Sequence, residues 1–145
     1  MHLGVGHAIG GGAAALAARD VYGVYYLAEL AGGVVGGGVG AFLPDRIEPA
    51  TSPRHRSIAH SFTTAVGGTA IVAPRITPWQ ERARERAAQH RAAAASSADG
   101  WTRFWNELLA VFWHFVAGFT AGLPTGYLSH LGLDAFTPAG LPVLA

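Results

Sequence analysis

Residues 21–43 read VYGVYYLAELAGGVVGGGVGAFL, with Glu29 as the one charged side chain and Pro44 directly after. A helix needs about 20 predominantly apolar residues to cross the hydrocarbon of a bilayer, and this stretch supplies them. Its glycines have helical spacing: Gly32, Gly36 and Gly40 recur every fourth residue, as do Gly33 and Gly37. In water each would cost about 1 kcal/mol of helix stability relative to alanine. In a membrane the same spacing puts small residues on one face, where a second helix can approach closely. The interleaved Val, Leu and Phe argue against a flexible glycine linker.

Three further apolar segments accompany it. Residues 3–18 are a Gly/Ala run ending at Arg19-Asp20, and residues 57–73 stop at Pro74. Residues 101–136 form the longest, with Gly118, Gly122 and Gly126 in the same four-residue rhythm and Pro124 as an expected kink. The first and third fall at or below the length a spanning helix needs. Half the chain is hydrophobic and only 13% is charged, with a mean hydropathy of +0.28. These features predict an all-α fold: one membrane-embedded domain over residues 1–145, a bundle of about four helices. The absence of cysteine excludes disulfides and thiolate sites, so any metal must be held by nitrogen and oxygen. A formal charge of +1 gives no argument for nucleic acid as a partner. The N-terminus lacks a basic leader and is expected to be retained.

Residues 75–100 differ. Pro74 is the expected stop of the third segment, Pro78 suits a first helical turn, and residues 79–95 are rich in Arg, Glu, Gln and Ala. They read as a solvated, Arg-rich connection, either an exposed helix or a partly disordered loop. The alternative is an interfacial helix drawn to anionic lipid, with Trp79 and Trp101 as anchors.

The chemistry gathers in two places. Residues 43–61, LPDRIEPATSPRHRSIAHS, carry Asp45, Glu48, His55 and His60 with Arg46, Arg54 and Arg56; residues 129–140, SHLGLDAFTPAG, carry His130 and Asp134. The last two are four apart and share a helix face. In an up-and-down bundle His7 opens the first segment, Asp45 and Glu48 follow the second, His55 and His60 open the third, and His130 and Asp134 end the fourth. All converge on one end. Any one of these histidines alone would read as an interfacial residue; the convergence argues for a metal site. Ionisable groups at membrane depth are costly, and imidazole with carboxylate suits zinc, manganese or iron. His114 lies about 24 Å from His130 on a straight helix, too far to share an ion, and is expected to hydrogen-bond Glu29. Glu29 and Glu107 are expected in internal polar pairs at the other end, and His2 and His90 in solvent. The formal GxGxxG at Gly4–Gly10 follows no strand and opens no βαβ unit, so it is set aside.

At the two clusters the sequence resembles the YdjM-like family of inner-membrane-associated proteins read as metal-dependent hydrolases. The resemblance rests on Leu43-Pro44-Asp45 with Glu48-Pro49, then His55-Arg56 with His60-Ser61, then His130, Asp134, Thr137-Pro138 and Gly140, with an early His at His7. The commoner family pattern is Asp-x-Asp-His-Pro, where this chain has Ile47 and Glu48 in place of the second Asp and the His.

The resemblance implies a multi-pass protein of the prokaryotic inner (cytoplasmic) membrane. It implies a divalent metal, zinc foremost, held by His7, Asp45, His55, His60, His130 and Asp134. The implied activity is phosphoester hydrolysis, with a lipid-linked phosphate as the substrate that a site at the bilayer surface favours. Glu48 is then a ligand or base, and Arg54 and Arg56, with Arg46, are phosphate-gripping residues or ordinary headgroup contacts. Two other readings stand beside it: a non-catalytic bundle fixed by its polar cluster, in a larger membrane assembly or a homo-oligomer, and a metal transporter. Seven arginines on the 75–100 side against three on the metal side place the connection in the cytoplasm and the site outside.

Overall fold

The structure is a computed structural model and describes residues 23–47 and 61–136. Among these residues are three helices and no strand: α1 (Gly23–Ile47), α2 (Phe62–Ser96) and α3 (Gly100–Ala135). The all-α expectation holds; residues 3–18, expected as a further helix, lie outside the described residues. By length and composition α1 and α3 can each cross a membrane.

The glycine rhythm does what its spacing predicted. α1 and α3 run parallel, and Gly32, Gly36 and Gly40 sit against the backbone of Phe115, Phe119 and Leu123. Reciprocally, Gly118, Gly122 and Gly126 sit against the carbonyls of Glu29, Gly33 and Gly37. A methyl added at Gly36 would lie 2.5 Å from the Phe119 carbonyl oxygen, so no larger residue fits without moving a backbone. Such contact compensates the helix-weakening cost of glycine, because lipid gives helices no hydrophobic drive to associate.

Two expected helix stops are corrected. α1 continues through Pro44 to Ile47, with Pro44 buried, and so carries Asp45 on the helix. α2 does not end at Pro74; it runs through both Pro74 and Pro78 to Ser96. Proline removes one N–H from the ladder and crowds the carbonyl four residues back, but packing outweighs that loss. Ala83, Ala87 and Ala94 are buried along α2, and Ala110 and Ala117 along α3. The Arg75 guanidinium also donates to the Ile71 carbonyl next to Pro74. Much of the supposed connection is therefore helix packed antiparallel on α3, and His90, expected in solvent, is half-buried with Nδ1 2.9 Å from Asn106 Oδ1.

The true connection is short. Asp99 caps α3 by accepting from the Thr102 backbone N–H at 2.7 Å, and Arg103 donates to the Ser97 carbonyl at 2.8 Å. Hydrogen bonds from Thr102 hold the Asp99 carboxyl below the usual carboxylate range. At the other end Ser61, fully buried, caps α2 by accepting from the Thr64 N–H at 3.1 Å. This gives the Ser that follows His60 a definite role: it sets where α2 begins.

Candidate functional site

Two polar levels lie on the α1–α3 pair. The first is where both helices end. The last turn of α1 presents Asp45, and the last turns of α3 present His130 and Asp134. His130 Nε2 stands 3.6 Å from Asp45 Oδ1 and 3.5 Å from Asp134 Oδ2. The Asp45 side chain is half exposed, those of His130 and Asp134 are largely covered, and Asp134 Oδ2 is closed off from solvent.

These separations exceed a good hydrogen bond, which runs to about 3.2 Å for nitrogen and oxygen. They match the edge of a coordination polyhedron: two ligand atoms, each about 2.1 Å from a tetrahedral ion, lie roughly 3.4 Å apart. Two carboxylates around one imidazole also concentrate negative charge where a cation would be welcome. The donor set thus fits zinc, manganese or iron chemically, but the shell is not complete. Among the described residues no group of three or more His, Asp or Glu side chains is arranged to hold an ion by itself. The remaining expected contributors, His7, Glu48, Arg54, His55, Arg56 and His60, lie outside the described residues. Arg46 is exposed at the end of α1.

The second level holds a buried ionic cluster. Glu29, 1% exposed, accepts from Arg84 Nε at 3.0 Å and 3.2 Å and from Arg84 Nη2 at 2.6 Å. His114 Nδ1 lies 2.7 Å from Glu29 Oε1. Because a carboxylate holding an arginine fork can only accept, the Nδ1 proton is on the histidine. The Tyr25 ring packs on His114 with centroids 4.9 Å apart, and its hydroxyl donates to Glu107 Oε2 at 2.5 Å. The Arg91 guanidinium also packs on Tyr25, 4.5 Å from its ring centre.

The expected Glu29–His114 bond is therefore present, and Glu107 is paired though exposed. Arg84 and Arg91 were missed, since the sequence reading assigned them to a solvated connection. The available signal was their seven-residue spacing, which puts both on one face of a helix. Between the two levels neither α1 over 30–44 nor α3 over 115–129 carries an acid, His or Arg. The α3 hydroxyls there bond their own helix: Thr120 to Ala117, Thr125 to Ala121 and Gly122, Ser129 to Gly126.

A family model described as YdjM inner membrane protein matches residues 1–145. No curated protein and no solved structure matches the chain.

Proposed function

The chain belongs to the YdjM inner membrane protein family, and on that premise we propose that it is a membrane-embedded metal-dependent hydrolase of a phosphoester, such as a lipid-linked phosphate. The observation that carries this reading is His130 set between Asp45 and Asp134 at ligand-edge distances, at the end of two membrane helices. In this reading His130, Asp45 and Asp134 hold a divalent ion, zinc foremost with manganese or iron as alternatives, together with His7, His55 and His60. The ion, when bound, supplies a water activated near neutral pH and polarises a phosphoryl oxygen. Glu48 serves as base or further ligand, and Arg54 and Arg56 orient the phosphate through their planar forks. Where α1 and α3 end, lipid headgroups are the nearest phosphates.

A second reading, a non-catalytic bundle held together by polar clusters, draws on the burial of the Glu29–Arg84–His114 cluster between the helices. Transport finds less support, because α1 and α3 carry no charged path between the two levels. The deciding experiment is metal analysis of detergent-purified protein, followed by hydrolysis of phosphatidate with and without a chelator. About one or more ions per chain and chelator-sensitive release of phosphate are expected. Stoichiometric metal without turnover would favour the second reading with the metal as part of its polar cluster, and metal-free protein would remove the hydrolase reading and leave a bundle held by polar side chains alone.

A further inference from the structure

α2 sends its arginines in two directions. Arg84 and Arg91, seven residues apart, share one flank of the helix, while Arg82 and Arg86, four apart, share another. The first pair is used inside the protein, on Glu29 and Tyr25. The second pair is exposed, and among the described residues neither member pairs with a carboxylate. Arg86 lies over the Trp113 ring, 5.6 Å from its centre. Between α2 and α3 at this point is a groove of about 240 Å³, walled by Trp79, Arg82 and Arg86 on one side and Trp113, Val116 and Thr120 on the other.

We propose that this groove is a binding site for an anionic phospholipid, with its phosphate on Arg82 and Arg86 and an acyl chain along Trp79, Trp113 and Val116. One wall belongs to a helix that can cross the membrane. A guanidinium held beside hydrocarbon is costly unless an anion or water meets it. Arginine forks match phosphate oxygens, and tryptophan favours the depth at which headgroups meet acyl chains. A zwitterionic lipid brings its own ammonium to compete for the phosphate, so net negative charge is selected. The site is separate from the candidate metal centre: Trp113 precedes His130 by 17 residues, about 25 Å of helix.

The chain has four tryptophans, so Trp101→Phe with Trp105→Phe leaves only Trp79 and Trp113 as reporters. In phosphatidylcholine vesicles, brominated phosphatidylglycerol should quench their fluorescence with about fivefold preference over brominated phosphatidylcholine, as one to two arginine contacts allow. The preference should fall to about one in the Arg82→Gln/Arg86→Gln variant, survive in part in Arg82→Lys/Arg86→Lys, and be unchanged in Arg103→Gln. Circular dichroism and size-exclusion behaviour report whether each variant is folded, and wild-type protein in rising salt gives a test free of substitution. Equal quenching by the two lipids would overturn the site, as would a preference that survives the double Gln variant or high salt. So would loss of the preference to millimolar inorganic phosphate, or tryptophans shielded from both lipids in cross-linkable pairs, which would make a second copy the occupant.

Discussion

His130 and Asp45 face each other across the α1–α3 seam at the same sequence separation, 85 positions, as His114 and Glu29 sixteen residues below. One parallel register therefore builds both polar levels, and glycine sets that register. Both levels pair a histidine of α3 with a carboxylate of α1 across one seam.

Gly36→Val should damage both levels at once. The added side chain meets the Phe119 carbonyl, and overpacking of this kind costs about 1–3 kcal/mol. A lower thermal midpoint in detergent and reduced bound metal are expected together. Gly38→Ala is the control, since a methyl there meets nothing within 4 Å; its midpoint should stay level or rise.

Asp134→Ala should reduce bound metal and phosphate release in parallel, with the fold retained, because Asp134 sits at the helix end. Elemental analysis of purified protein reads the first effect directly. Full metal occupancy with lost turnover would instead give Asp134 a role in orienting His130.

Arg84→Leu should destabilise the bundle by about 3–5 kcal/mol, the usual effect of leaving one buried ion without its partner. Adding Glu29→Leu should restore part of that loss, since the uncompensated buried carboxylate is gone and only the His114 N–H loses its acceptor. Denaturation of the two variants in mild detergent checks the order. A double variant no more stable than Arg84→Leu alone would assign the loss to arginine packing rather than to charge.

Asp99 gives the hairpin a pH dependence of defined sign. Its folded pKa is depressed, so its contribution is fully present above the ordinary aspartate value and is lost as pH falls through the lower folded value. Asp99→Asn keeps a capping oxygen but cannot titrate. Wild-type stability should fall in acid relative to this variant, read by thermal melts across pH 2–5.

Orientation is open to a direct test because the chain has no cysteine. The arginine count predicts a cytoplasmic α2–α3 connection. Ala98→Cys, exposed in that connection, should react with a membrane-impermeant maleimide in inverted vesicles and not in intact spheroplasts.

The membrane fold was legible in the sequence because its signals are periodic and local. The apolar runs of 21–43 and 101–136, with the Gly-xxx-Gly spacing of 32–40 and 118–126, read correctly as close-packing helices. The pairing of His114 with Glu29 followed from the same register. What sequence reading missed was the continuity of α2 through Pro74 and its buried face, not the helical character of 79–95. Pro74 is a local stop signal, and an Arg/Glu-rich stretch reads as solvated, yet a buried alanine face over 83–94 overrides both through contacts with α3. For the candidate site the meeting of Asp45, His130 and Asp134 was legible from up-and-down topology; the same topology gathers His7, Glu48, His55 and His60 at that end, the roles given to Arg54 and Arg56 follow from the hydrolase reading, and all six lie outside the described residues.

The fixed register also gives the protein a ruler. Its two polar levels lie sixteen residues apart, about 24 Å along α1, with exposed Arg82 and Arg86 near one level and exposed Asp45 and Arg46 at the other. A typical hydrocarbon core is about 30 Å thick. Exposed Leu27, Leu108, Leu109 and Phe112 continue the apolar surface past the buried cluster, so a core of that thickness takes in the Glu29 level, and departures from it cost a fraction of a kcal/mol for each ångström of mismatch. Bilayer thickness thus becomes a variable that bears on both polar levels at once.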